Sequence, residues 1–429
     1  MSLETDSGRR GPEFSVSELR ASFPDFPYLV LLKLDAQRRG VAYTPEALSV
    51  LDPAVHMTAV RSDYYDKEDL TPVSLVLRDG TTIFTEGFLS ETGLKPYVVD
   101  LVDGAPHLTD PGPDKDASGP GGGIVPEPVW YWEKPAYYDK LTSSGKPMWQ
   151  IVSARPQRLT VHPNQFCDFW RNPGEGCKFC VMASTFKKGA KEGRKEERLA
   201  VRDIVETVAE ALKEPGLCQS FFMTGGSILG GAEPLDDEVD QYVDILRALA
   251  PLFSAKKVPS QLIGTAFTAR QLERLADSTF LMSYTADLEV LNKDLFPWIC
   301  PGKSRLIGYE GWKRRLCDAV SVFGRGNVNT GIVGGVELAR PRGLASEEEA
   351  LESTLAEAGR LAEKGVFAVA CVWRVLRGSV FQNQRPPSLR YYLKLSAGLD
   401  AIRRLNRLPA DMDNYRRCGN HGDTDLARI

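Results

Sequence analysis

The sequence predicts an α/β fold, in which helices pack on a sheet of parallel strands behind an N-terminal α+β extension. Three observations carry this. The chain has 429 residues, enough for two domains or for one large α/β domain with appendages. From Arg158 onward, short apolar runs alternate with amphipathic helical patterns. The alternation repeats six times, and successive β-then-α units imply parallel strands joined by right-handed crossovers. Such a sheet is either open or curled into a partial barrel, and periodicity alone does not separate the two.

In chain order, Ser17 to Arg39 carries a helical pattern, and "VSLVLRDGTTIFTEGF" reads as strand, Asp-Gly turn, strand. These belong to an N-terminal α+β region, residues 1–109. Residues 110–127 are too polar and too rich in Gly and Pro to pack, and read as a linker or loop. The α/β region spans 128–404, and 405–429 form a tail. The first two of its six units pair "RLTVHP" with "VRDIVETVAEALKEPG", and "SFFMTGG" with "DDEVDQYVDILRALAPLF". The third and fourth pair "SQLIGTA" with "TARQLERLAD", and "FLMSYTA" with "GWKRRLCDAVSVFG". The last two pair "VNTGIVG" with "SEEEALESTLAEAGRLAEKG", and "FAVACVW" with "SLRYYLKLSAGLDAIRRL".

Net charge is −4 and no basic block stands out, so neither nucleic acid nor an anionic membrane is expected as partner. No apolar run approaches the roughly 18 residues of a membrane span. "MSLETDSGRRGPEF" lacks the apolar core of a signal peptide, so a cytoplasmic, reducing location is expected. There, clustered cysteines are more often metal ligands than disulfides.

Cys167, Cys177 and Cys180, spaced C-x9-C-x2-C, are the strongest chemical signal. Their loop directly follows the first strand, on the edge where functional loops of parallel sheets gather. Structural zinc takes four ligands, so zinc here needs His162 as the fourth or an open catalytic site. Unbound structural cysteines fit poorly, because "RNPGEGCKFC" is turn-rich. An iron–sulfur cluster suits three thiolates and leaves one iron for a small molecule. Cys218, Cys300, Cys317 and Cys371 sit in or beside apolar segments and read as core residues.

Three cysteines after the first strand of a six-unit β/α sheet, with Phe179 just before the last, resemble the radical S-adenosylmethionine superfamily. The biotin synthase and lipoyl synthase branch is the most similar. The commonest spacing there is C-x3-C-x2-C. The longer first gap here requires a reversal, which Pro173, Gly174 and Gly176 suit. The C-x9-C-x2-C spacing, "FGRG" and "PGK" are similar to radical enzymes encoded beside nitrilases. The resemblance covers Lys134 to Arg404. It implies a partial (β/α)6 barrel, a 4Fe–4S cluster on the three cysteines, and S-adenosylmethionine chelated to the open iron. It further implies an external electron donor such as flavodoxin or ferredoxin, and reductive cleavage to a 5′-deoxyadenosyl radical.

The resemblance also assigns the remaining motifs. "MTGGS" ends the second strand, placing Thr224, Gly225, Gly226 and Ser227 at the cofactor's amino group; the bland reading is a tight turn. "SYTADLEVLNKDLFPWICPGK" resembles the N-L-E-T-V segment of lipoyl synthases, with Glu289 matching its glutamate and Asp287 standing for its asparagine, both at the ribose. Two carboxylates two residues apart in an extended segment point the same way. Lys303 or Arg305 is suited to the cofactor's carboxylate. "VNTGIVGGVE" resembles a G-x-I-x-G motif, read here as Gly331, Val333 and Gly335 beside the adenine, with Phe179 stacking on the same base. Trp373 and Arg374 stand where relatives tend to carry proline, and Arg374 is suited to grip a carboxylate or phosphate. In the tail, one Cys and one His (Cys418, His421) cannot fill a structural metal site alone. Cys418 is either a thiol near the substrate that donates a hydrogen atom or binds an auxiliary metal, or part of a disordered or capping tail.

The leading expectation is a radical S-adenosylmethionine enzyme acting on a small molecule. The N-terminal region, with Trp130 and Trp132 following the linker, is suited to covering the sheet or binding a partner, and the resemblance also admits a peptide substrate, since such enzymes often carry an N-terminal recognition domain. A variant of the same class transfers a 3-amino-3-carboxypropyl group. The competing class is a non-catalytic or zinc-binding protein.

Overall fold

The computed structural model describes residues 13–61, 69–85, 93–111, 126–155, 158–191, 196–253, 259–409 and 421–427. Its first part has short elements. Helices α1 (Val16–Ser22), α2 (Tyr28–Arg39) and α3 (Pro45–Ser49) accompany strands β1 (Val41–Tyr43), β2 (Thr58–Arg61), β3 (Asp69–Pro72), β4 (Ser74–Val76) and β5 (Thr82–Phe84). Strands β6 (Tyr97–Val102), β7 (Ala105–Thr109), β8 (Glu127–Pro128) and β9 (Trp130–Tyr131) follow. They pair as β1-β6-β7-β8, β5-β4-β9 and β2-β3. The expected Asp-Gly hairpin is the antiparallel pair β4–β5. The expected Ser17–Arg39 helix is two helices, because Pro24 and Pro27 interrupt the hydrogen-bond ladder. Ser15 and Glu18 form a capping box on the first.

Helix α2 is buried over Val30–Arg39, although Lys33, Asp35, Arg38 and Arg39 lie within it. Ion pairs make this tolerable. Lys33 meets Asp425 at 2.7 Å, Asp35 meets Arg38 at 2.6 Å and Arg39 at 3.0 Å, and Arg39 also meets Asp110 at 2.7 Å. Arg38 pairs with Glu13 as well and donates to Pro387 O.

The main sheet holds β10 (Val152–Arg155), β11 (Arg158–Val161), β12 (Ser220–Thr224), β13 (Ser260–Ile263), β14 (Ser283–Thr285), β15 (Val328–Gly334) and β16 (Val366–Val372), side by side in that order. Strands β11 to β16 are parallel, as the six sequence units predict, and β10 is an antiparallel addition. The helices are α4 (Met182–Lys191), α5 (Val201–Ala211), α6 (Asp236–Leu249), α7 (Ala269–Ser278), α8 (Phe296–Ile299), α9 (Pro301–Leu306), α10 (Tyr309–Phe323), α11 (Glu347–Glu363), α12 (Leu389–Leu405) and α13 (Gly422–Leu426).

The two faces of this sheet differ. Leu159, Phe221, Met223, Leu262, Tyr284, Val328 and Val366 share one core with Ile204, Val243, Leu275, Trp312 and Leu399 of the crossover helices. Because side chains alternate along a strand, the register places Thr160, Phe222, Gln261 and Ser283 in a row on the other face. Thr285, Asn329 and Phe367 form the next row. A parallel sheet sealed on both faces reads as continuous hydrophobic runs. Here that face mixes Phe222 and Phe367 with polar Thr160, Gln261, Ser283, Thr285 and Asn329, and Thr160 Oγ1 and Asn329 Nδ2 are buried there without a hydrogen-bond partner among the described residues.

No helix among the described residues is long and apolar enough to cross a membrane. Of the expected 110–127 linker, residues 112–125 lie outside the described residues, as does Cys418. Its ends depart from that expectation: Asp110 pairs with buried Arg39, and Glu127 belongs to β8.

Candidate functional site

Parallel strands deliver the loops after β11 to β16 to one edge of the sheet. The cysteine loop follows β11, Thr224 to Ser227 close β12, Asp287 and Glu289 follow β14, Gly335 follows β15 and Arg374 follows β16.

In the cysteine loop, Gly174 takes a φ of 81°, the left-handed conformation that permits the reversal expected there. A turn bond from Cys180 N to Cys177 O, 3.0 Å, brings the last two cysteines together. Backbone N–H groups meet the sulfurs: those of Ser227 and Phe169 donate to Cys167, and that of Met182 to Cys180 Sγ at 3.4 Å. Burial pushes the Cys167 thiol up to about 11 and that of Cys180 up to about 12. A hydrogen bond with the Cys300 thiol, then burial, pushes Cys177 well above its ordinary value. Metal binding at these thiols therefore releases protons. Among the described residues no three His, Cys, Asp or Glu side chains converge as a single ion requires. A four-iron cluster spreads its thiolates more widely, and sulfurs already met by N–H donors suit such a group. His162 is exposed at the start of the loop.

The "MTGGS" segment serves the cysteine loop directly. Gly226 N donates to Asn164 O at 3.1 Å, and Asp168 N to Ser227 O at 2.9 Å. A Cβ on Gly226 would stand 2.2 Å from Phe166 O, and one on Gly225 3.0 Å from Asn164. These glycines let the loop dock on β12. Behind them lies Glu238, which sequence reading missed. Its carboxylate accepts from Ile228 N at 3.0 Å, Thr265 N at 2.9 Å and Thr265 Oγ1 at 2.8 Å. Thr265 Oγ1 lies 2.6 Å from Ser227 Oγ, and burial pushes Glu238 up to about 7.

After β14, Lys303 Nζ donates to Glu289 Oε1 and to Asp287 O, both at 2.7 Å. Asp287 Oδ1 accepts from Gly331 N at 2.9 Å, and a Cβ on Gly331 would stand 2.5 Å from that oxygen. Glu289 has a φ of 70°, so the segment is not extended there and the expected same-side alternation does not govern the pair. Burial pushes Glu289 up to about 7 against the pull of Lys303, and raises Asp287 too. Burial disfavours the Lys303 charge, but Glu289, Cys177, Cys300 and Asp287 together outweigh it and hold the ammonium well above its ordinary range.

The other predicted residues divide. Phe179 is half-buried against the main core, Val333 lies opposite Cys371 in register, and Gly335, at a φ of 96°, abuts Pro387. Arg305 is exposed and paired with Glu175 of the cysteine loop. Arg374 lies 5.3 Å from the Phe84 ring, which also faces Arg155 at 4.4 Å, so it meets the N-terminal region. Cys371, expected in the core, packs against the main core on the face of β16 that also carries Phe367 and Val369. Burial and then Glu289 and Asp287 push it up to about 12.

No family model matches the chain. The bacteriochlorophyllide c C-7(1)-hydroxylase of Chlorobaculum limnaeum is 25% identical over 268 residues, 59% of this chain and 62% of that protein. The chain thus spans about three-fifths of the curated relative it matches. Among solved structures, a radical SAM methyltransferase from Sphaerobacter thermophilus is similar with a TM-score of 0.40 and 17% identity, covering 95% of this chain and 98% of that one. Methylornithine synthase is similar with a TM-score of 0.38 and 15% identity over 58% and 68%. A cobalamin-dependent S-adenosylmethionine radical enzyme reaches 0.32 and 14% over 58% and 30%.

Proposed function

We propose that this chain is a radical S-adenosylmethionine enzyme that abstracts a hydrogen atom from a small-molecule substrate. The observation that supports it most is one loop of three cysteines, with backbone N–H groups aimed at two of the sulfurs, on the same edge as a buried Asp287–Lys303–Glu289 group. The identity with the hydroxylase supports chemistry at a carbon centre. Cys167, Cys177 and Cys180 hold the cluster. When bound, a 4Fe–4S cluster supplies the electron that splits a carbon–sulfur bond of S-adenosylmethionine and yields a 5′-deoxyadenosyl radical. Its electron comes from a donor such as flavodoxin or ferredoxin.

The chain's own residues bind and orient. The Asp287 and Glu289 carboxylates accept from ribose hydroxyls, and Lys303 keeps Glu289 ionised enough to do so. Thr224 to Ser227 set the amino group while anchoring the cysteine loop. Phe179, Gly331, Val333 and Gly335 border the base. The sheet curls into a partial (β/α)6 barrel within residues 128–404, which turns the polar row of Thr160, Gln261 and Asn329 toward the substrate. A substrate rich in hydrogen-bonding groups would satisfy Thr160 and Asn329, which otherwise remain unmet.

The test is anaerobic reconstitution with dithionite and S-adenosylmethionine, followed by product analysis. Release of 5′-deoxyadenosine is expected. Methylthioadenosine in its place, or neither product, overturns the reading.

A further inference from the structure

Two other loops of the same edge pack on the cysteine loop. Phe381 N, in the loop after β16, donates to Lys178 O at 3.2 Å, and Ser184 Oγ stands 3.3 Å from Gly378 O. That loop in turn meets the turn after β15, where Arg340 N donates to Gln384 Oε1 at 2.9 Å. Residues 177–187, 339–344 and 376–385 are thus brought side by side. Together they carry Lys178, Lys187, Arg340, Arg342, Arg377 and Arg385 and no Asp or Glu, in a chain whose net charge is −4. No one stretch is a basic block, so the charge gathers only when the loops adjoin. Lys187, Arg342 and Arg377 are exposed, and Arg385 is paired at 3.5 Å with Glu13 from the N-terminal region. Val380 adds an apolar side chain that is 62% exposed. Next to it, Phe381 packs 5.2 Å from the Trp298 ring, over which Lys178 Nζ stands at 5.0 Å.

We propose that this basic face receives the electron carrier, an acidic protein of the flavodoxin class, and steers it onto the cysteine loop. This rests on reading the loop as a cluster site. Lys178 stands between Cys177 and Cys180, so a partner seated here lies beside the thiols that hold the cluster. The carrier is oxidised by one electron, the cluster is reduced by one, and no atom changes hands. Exposed cations attract an acidic partner and speed its encounter, an effect that salt weakens. A lone apolar contact such as Val380 suits the small interface of a brief redox encounter. A nucleic acid would meet the same cations, yet it brings no electron, and this face adjoins the one loop that has to be given one.

Wild type and the double variant Arg342→Glu with Arg377→Glu are reconstituted anaerobically and checked for iron and circular dichroism. Each is titrated with oxidised flavodoxin at low and at high salt, which reads affinity without turnover. Release of 5′-deoxyadenosine is then followed with flavodoxin kept reduced by its reductase, and separately with dithionite. Iron and the dithionite rate are expected to stay at the wild-type level, while the double variant binds flavodoxin at least about tenfold more weakly and slows in proportion. Wild-type affinity falls with salt, and that of the variant much less. Equal affinity in the two proteins, or flavodoxin bound by neither, overturns the proposal, as does a wild-type affinity indifferent to salt. A matching loss with dithionite also overturns it, by making the arginines supports of the loop. So does a variant that keeps flavodoxin and loses single-stranded RNA bound by wild type, which would assign the face to nucleic acid. No 5′-deoxyadenosine from wild type with dithionite defeats the enzyme reading itself, and so is told apart.

Discussion

Helix α2 and the loop edge of the main sheet both bury ionisable groups, yet they settle them in opposite ways. On α2, each of Lys33, Arg38 and Arg39 meets a carboxylate. Burial works against Asp35, but Arg38 and then Arg39 outweigh it and hold its pKa below the ordinary value. At the loop edge, burial prevails: Glu238, Asp287 and Glu289 are raised, and so are the three loop thiols. Lys303 there donates to the Glu289 carboxylate and to the Asp287 backbone carbonyl. A buried network that closes on itself builds structure. One left short of countercharge is what the proposed cofactor site would require.

The largest expected effect lies on α2. Asp35→Ala leaves Arg38 and Arg39 without the acid they share, and should cost about 3–5 kcal/mol in urea unfolding. A loss under about 1 kcal/mol would mean that Glu13 and Asp110 suffice to neutralise the two guanidiniums without Asp35.

The second effect is a pH dependence of opposite sign in the two regions. The lowered pKa of Asp35 gives stability that is present above the ordinary carboxylate value and lost as pH falls through the folded one. The raised pKa of Glu238 works the other way. Its contribution is full below 4.5 and fades as pH rises toward about 7, by at most about 3 kcal/mol. Glu238→Gln should therefore flatten the fall in stability between those pH values, read from urea midpoints at each pH. An unchanged slope in the variant would remove Glu238 from the unsettled group.

The smallest effect is at Arg305, whose side chain is 61% exposed beside Glu175. Arg305→Ala should cost no more than about 1 kcal/mol. A larger loss by thermal melting, or a loss of bound iron, would make this surface pair a support of the cysteine loop.

The six strand-helix units were legible because each apolar run and each amphipathic stretch follows its own period. β10 was not, since "VSAR" is too short and mixed to show one. The burial of α2 was hidden because Lys33, Asp35, Arg38 and Arg39 look like a solvated face until distant Asp110 and Asp425 meet them. At the site, the loop cysteines and the Asp287–Glu289 segment were readable as local motifs. The backbone tie of the cysteine loop to the α8–α9 segment, from Lys178 N to Ile299 O, was not, because it joins segments more than a hundred residues apart. Likewise, the packing of Gly225 and Gly226 against Asn164 and Phe166 joins residues far apart in the sequence and was not legible there.

Metal and sulfide analysis of wild type and Cys177→Ala, both prepared without oxygen, bears most directly on the three-cysteine loop. About four irons and four sulfides per chain are expected in wild type, with a large loss in the variant. Zinc near one per chain with no iron, or iron that is indifferent to Cys177, would contradict the cluster.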